Sequence, residues 1–340
     1  MFGILRTLLA INVVLLHIFN VPTLGNYSVS FFFLLSGFLM TLIMQESYGF
    51  SFNGIRVFWL NRILRLYPTY LTILGLTVIA IFIFPDVVKH PDLYFPARII
   101  EWMSNISMVY PNVVPHRVEP RLVPPSWALT NELLFYLLIS FGISKTLGRT
   151  LIWLGLSVLY YIATYYFYDI STYRYSAIFA SSLPFSLGAS LYWLNKVRPL
   201  KNIKLIAICS VYILFIINAL YGFKYGNFFK HFRIYINMSI AFVLVYQLYN
   251  FKTNKKFKKL DTYLGYYSYP IYLSHYLIAI VYSGLIGYGL VEGNFKLKIH
   301  AILPYSLVLI VFCFAIVQVI DKNIDTFKQK LKKRELNNIK

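Results

Sequence analysis

Apolar residues come in runs of about 20 along most of this chain, interrupted by short segments where basic residues, prolines and aromatics collect. Runs of that length suit a helix crossing the ~30 Å hydrocarbon layer of a membrane. The pattern predicts ten spans, at roughly 4–21, 28–46, 68–85, 127–144, 150–168, 175–195, 203–222, 232–250, 264–286 and 300–320. The expected fold is therefore all-α, a polytopic transmembrane helix bundle. A chain of 340 residues would otherwise suggest two or so domains. The apolar runs instead argue for a single transmembrane domain over 1–321, with an outer Pro-rich loop at 85–126 and a basic cytoplasmic tail at 322–340.

Composition agrees with the pattern. Hydrophobic residues make up 59% of the chain and charged residues 13%, against about 45–50% and 25% for soluble domains; mean hydropathy is +0.63. The first run does not read as a cleaved signal peptide, because no small-x-small site follows it and a second span begins at once. Cys209 and Cys313 both fall inside apolar runs, so no disulfide framework is legible.

The polar segments decide orientation. With the N-terminus inside, inner segments hold Arg6, Arg56, Arg62, Arg65, Lys145, Arg149, the Lys196–Lys204 and Lys252–Lys259 clusters and the tail, 22 of the 32 basic residues. Short loops rich in Lys and Arg stay cytoplasmic, so both termini are expected inside. The net charge of +20 is then mostly a topology signal. It is scattered over separate loops with no compact basic domain, which argues against nucleic-acid binding. Membrane lipids remain an expected partner, since the tail could meet anionic headgroups, although a solvated tail is the plainer reading. The outer loop holds eight of the 14 prolines, and with Trp102, Tyr110, His116, Arg117 and Arg121 it suits either a sugar-binding lid or a passive cap.

Ionisable residues at membrane depth are costly and usually mark a pathway or site. Arg6 and His17 are separated by eleven helical steps of about 100°, which puts them within roughly 20° of one face and about 16 Å apart along the axis. Arg62 and Arg65, three apart, share a helix face and offer forked donors suited to phosphate. They could equally be topology-fixing anchors. Ser36-Gly37 in the second span suits close helix packing; a nucleophilic Ser36 would need a base that no sequence neighbour supplies. Glu132 is the acidic residue set well inside an apolar span, and counting turns from the outer surface places it at the depth of His17. It is expected to orient or charge-stabilise that imidazole, or else to lock two helices structurally. His275 follows Pro270 in the ninth span and either lines a conduit or satisfies a buried polar group. No metal site is expected, because the histidines come without ligand-like spacing.

These motifs resemble the acyltransferase-3 family of bacterial membrane O-acyltransferases. The resemblance rests on Arg6-x10-His17, Phe32-Phe33-x-x-Ser36-Gly37-Phe38, Arg62-x-x-Arg65 with Tyr67-Pro68, and Trp127-x4-Glu132-x2-Phe135-Tyr136. Pro184-Phe185-Ser186-Leu187-Gly188-Ala189 and Ser268-Tyr269-Pro270-Ile271-Tyr272-Leu273-Ser274-His275 support it, all in family order. It implies transfer of an acyl group, most often acetyl, from cytosolic acetyl-CoA to a hydroxyl of a carbohydrate acceptor. That acceptor would be a lipid-linked or surface glycan such as O-antigen or exopolysaccharide, reached from the bacterial cytoplasmic (inner) membrane. The chain would be a stand-alone member without the extra SGNH-type domain.

On this reading His17 is the general base and Glu132 its partner. Arg6, Arg62 and Arg65 hold the donor's phosphates, and Ser36, Trp127, Asn131 and His275 contact substrate. The donor could act directly through its long pantetheine arm or through a covalent acyl-enzyme. The rival is a transporter or flippase for a lipid-linked glycan or small solute, which would also explain intramembrane charge.

Overall fold

A computed structural model describes residues 2–167, 172–221, 227–286 and 294–328. Residues 329–340 of the expected tail lie outside the described residues, as do the outer ends of the spans expected at 150–168 and 203–222. The described residues form eleven α-helices and no strand: α1 (Gly3–Phe19), α2 (Leu24–Ile43), α3 (Phe52–Ile83), α4 (Ile99–Ser107), α5 (Trp127–Ser140), α6 (Leu147–Phe167), α7 (Ser182–Val197), α8 (Leu205–Tyr221), α9 (Asn227–Asn250), α10 (Lys255–Ile286) and α11 (Ile302–Ile316). With its apolar helices and the composition above, the chain is a multi-pass membrane protein.

Among the described residues six helical stretches are long and apolar enough to cross a membrane: α2 with its continuation to Tyr48, α3, α6, α9, α10, and α11 with its flanking turns. α1 and α8 are apolar but shorter, at 17 residues each. The third span, expected from residue 68, starts earlier, and the segment Phe58–Pro68 is part of α3. That helix runs unbroken for 32 residues through Pro68, with the Ser51 hydroxyl accepting the Gly54 N–H at its start. A proline near the middle removes one backbone donor but leaves the helix intact where neighbours support it.

α1 and α2 pack together at the centre. α1 lies along α10, and α2 lies along α7. The α2–α7 crossing explains Ser36-Gly37: a Cβ on Gly37 would collide with the carbonyl of Phe185, and one on Gly188 with the carbonyl of Leu34. Glycine on both helices lets the two backbones touch, as small residues do between membrane helices. One large core surrounds α1, α3, α5 and α10, and a second fills the space between α1, α2, α8 and α9.

The Pro-rich loop 85–126 is a folded cap. Arg121, 1% exposed, donates to the carbonyls of His116, Val118 and Pro124 and pairs with Asp92. Asn105 of α4 ties down Pro120 and Leu122. Tyr110 is fully buried and its hydroxyl meets Ser126 at 2.7 Å. Arg121 and Tyr110, expected among the sugar-facing residues, are thus internal struts; His116 and Arg117 are the exposed ones.

Candidate active site

Arg6 of α1 and Arg62 and Arg65 of α3 line one cavity of about 130 Å³, together with Ser36 of α2, Glu132 and Tyr136 of α5 and Tyr269 and Tyr272 of α10. These side chains come from five separate helices and meet because α1, α2, α3, α5 and α10 converge there. Among the described residues none of the three arginines forms an ion pair within 4 Å. Arg6 Nε donates to the Phe2 carbonyl at 3.3 Å, Arg62 Nη1 touches the Met40 sulfur at 3.8 Å, and Arg62 Nε is buried without a partner. Arg65 stands over the ring of Tyr266. Three guanidiniums on one cavity, none in an ion pair within 4 Å among the described residues, suit an anion, with Glu132 on the same wall and Asp321 near Arg65 offsetting part of their charge from beyond contact distance.

Glu132 faces the same cavity and accepts a hydrogen bond from the Ser36 hydroxyl. The hydrogen-bond partner of Ser36 therefore comes from α5 and not from its sequence neighbours.

His17 sits elsewhere. Its Nδ1 lies 3.0 Å from Nε2 of His275, and the two rings stack with centroids 5.2 Å apart. Tyr276 packs against both, at 5.4 and 4.5 Å. His275 is fully buried, whereas His17 keeps some exposure. The Nδ1 of His275 is buried and meets no hydrogen-bond partner. The expected His17–Glu132 pair is thus replaced by His17–His275, and the depth estimate from the sequence has to be corrected. α5 begins sunken: Pro124, Pro125 and Ser126 are buried, and Tyr272 donates to the Pro125 carbonyl at 3.0 Å. Glu132 lies a further seven residues inward, roughly 10 Å, at the level of Arg6.

The remaining candidates frame these two groups. Trp127 is buried, with His116 5.5 Å and Tyr175 5.6 Å from its ring. Asn131 is fully buried and donates to Ser181 at 2.8 Å, so it braces α5 against the start of α7. Tyr272 links the two sites: it lines the arginine cavity, and its ring stands 6.5 Å from His275.

Three outer residues had no signal in the sequence. Lys296 donates to the carbonyls of Leu16 and His17, at 3.2 and 2.6 Å, and so caps α1 beside the histidine pair. Phe295 and His90 roof Tyr276, with His90 5.0 Å from its ring. Burial pushes Lys296 down to about 8 and His90 down to about 4, with Asp92 opposing the shift in His90. A lone lysine or histidine in a loop carries no spacing to read.

A chain with this all-helical membrane architecture, a cluster of unpaired arginines and a separate histidine pair has the makings of a group-transfer enzyme. Comparison with known families is direct: the acyltransferase-3 family, described as an acyltransferase domain, matches residues 2–320, and the chain belongs to it. Among curated proteins it is similar to "Putative peptidoglycan O-acetyltransferase YrhL" of Bacillus subtilis (strain 168), 29% identical over 143 residues, which cover 39% of this chain and 22% of the relative. The match thus spans about a fifth of that relative's length. No solved structure matches the chain.

Proposed function

We propose that this protein is an O-acyltransferase of the bacterial cytoplasmic membrane that moves an acyl group, most simply acetyl, from cytosolic acyl-CoA to a hydroxyl of a cell-surface glycan. The observation that carries this reading is the pair of sites on α1: three unpaired arginines around one cavity and, about 16 Å further along the helix axis, His17. With ten spans and both termini cytoplasmic, the arginine cavity faces the cytosol and His17 the outer side.

Arg6, Arg62 and Arg65 bind the phosphates of the donor. The pantetheine arm resembles four or five residues of extended chain, so it reaches roughly 15 Å, about the distance from Arg6 to His17. That match favours direct transfer, with the thioester presented past Tyr272, over a relay through Ser36, which sits down at the arginine level. Ser36 and Glu132 would then line the arm.

His17 acts as general base toward the acceptor hydroxyl. With the proton of His275 on Nδ1, its Nε2 accepts from His17 Nδ1–H, and His17 Nε2 is left with the lone pair. His275 is the positioning residue, in the place first given to Glu132. Trp127 and the exposed His116 would face the sugar. The relative's name makes peptidoglycan one acceptor to test, beside O-antigen and exopolysaccharide.

The test combines two measurements. Labelled acetyl-CoA should bind the purified protein saturably, and Arg62→Ala with Arg65→Ala should weaken it by roughly 10–100-fold, the worth of a charge-assisted hydrogen bond or more. Mass spectrometry of surface glycans should lose the acyl increment in His17→Ala. An increment that persists in that variant removes His17 from catalysis, and donor binding that is absent in the wild type turns the reading toward transport.

A further inference from the structure

A second cavity, of about 320 Å³, opens on the flank formed by α6, α7 and α9 and shares no lining residue with the arginine site. Its walls are Val158, Ile162 and Leu183, with Tyr161, Tyr165 and Tyr235 around Arg174. Ile162, Tyr165 and Tyr166 are 51%, 50% and 73% exposed, so the mouth faces the surroundings of the bundle.

Arg174 lies in the turn Thr172–Ser176 and is only 2% exposed. An arginine at a membrane boundary ordinarily extends its head to water; this one is folded inward. Its Cζ is 4.7 Å from the Tyr165 ring and 6.0 Å from that of Tyr235. One guanidinium nitrogen, Nη2, donates to the Tyr161 carbonyl at 3.2 Å, while Nε and Nη1 are buried without a partner. Among the described residues Arg174 enters no ion pair. The turn is held in place, since the Tyr161 hydroxyl donates to the carbonyls of Arg174 at 3.0 Å and Ala180 at 2.9 Å.

A buried cation with two idle donors is costly unless something supplies the missing anion. The cavity states what kind: a forked donor suits phosphate oxygens, apolar walls suit a hydrocarbon chain, and tyrosines suit the interface between them. We propose that this cavity binds the phosphate of a lipid, with the headgroup against Arg174 and the chain along Val158, Ile162 and Leu183. The proposal rests on the outward orientation of this end of α6 in the reading above. Its neighbour Tyr175 packs on Trp127, which places the lipid phosphate next to the acceptor side of the enzyme. Two lipids share this chemistry: a bilayer phospholipid, and the polyprenyl phosphate of a lipid-linked glycan.

Native mass spectrometry of the full chain, from nanodiscs of phosphatidylcholine with phosphatidylglycerol or with a polyprenyl phosphate, tests it. The wild type should retain one anionic lipid through delipidation, and Arg174→Gln should lower its occupancy at least tenfold, with Arg174→Lys intermediate. Displacement of phosphatidylglycerol by equimolar polyprenyl phosphate assigns the site to the glycan carrier, and no displacement assigns it to the bilayer lipid. Equal lipid occupancy in wild type and Arg174→Gln overturns the proposal. Should Arg174→Gln fail to fold, Ile162→Trp decides: the exposed mouth is blocked with the cation intact, so lost lipid supports the site and retained lipid overturns it. Acetyl-CoA binding is measured on the same samples. It is expected to be unchanged in Ile162→Trp, so failure here and failure of the acyltransferase reading remain separate results.

Discussion

His17 and His275 stand 258 residues apart in the chain and 3.0 Å apart in space. On the proposed mechanism the imidazole of His275 has two jobs that a substitution can separate: filling a buried space and accepting a hydrogen bond from His17. Gln at 275 keeps an acceptor at about the position of Nε2, while Leu keeps only volume. We expect His275→Leu to lower kcat by about 10–100-fold, part of the 10²–10⁴ that a general base contributes. KM for the donor should stay constant, and His275→Gln should recover much of the loss. Equal kcat in both variants would reduce His275 to packing. His17 itself was legible as a costly residue at membrane depth, but its partner was not, because sequence spacing gives depth along one helix and not the starting level of another.

At the scale of elements, the α2–α7 crossing is the contact least tolerant of change. Gly37→Val forces a side chain into the backbone of α7, and overpacking of this kind costs about 1–3 kcal/mol. Thermal unfolding in detergent should show a clear drop in Tm. Ser36 should move with it, so acetyl-CoA binding should weaken as well. The outer cap gives a pH signature. His90 has its pKa lowered by burial from 6.5 to about 4, so above pH 6.5 both folded and unfolded chains hold it neutral and its contribution is complete. Between pH 6.5 and 4 the unfolded chain binds the proton first, and the cap loses stability as pH falls, by at most about 1.4 kcal/mol per pH unit. Melting curves at pH 7.5, 5.5 and 4.5 should show that loss, and His90→Gln should flatten it.

At the scale of the whole molecule, orientation is the property on which the assignment of donor and acceptor sides depends. Phe52, 86% exposed, opens the arginine helix α3, and Val113, 53% exposed, lies in the cap. In a Cys209→Ser background, a membrane-impermeant maleimide should label Val113→Cys in intact cells and Phe52→Cys only after permeabilisation. The reverse pattern would put the arginine cavity outside and refute the donor assignment.

The sequence by itself determined the all-helical membrane class, the family, and the grouping of Arg6 with Arg62 and Arg65, since apolar run length, ordered motifs and helical phase are local quantities. Helix ends were less legible: α3 and α10 each run for 32 residues, past the polar stretches that marked loops in the sequence. Tertiary structure alone decided the partners. The depth of Glu132 depends on how far the cap sinks before α5 begins, and that is set by Arg121, Asn105 and Tyr272 contacts between distant segments. Tertiary packing took Glu132 from His17 and gave it to Ser36, brought His275 to His17, and buried Arg174 without an ion pair among the described residues. Each is a matter of which helix lies beside which, and the one-dimensional pattern of polar and apolar residues does not encode it.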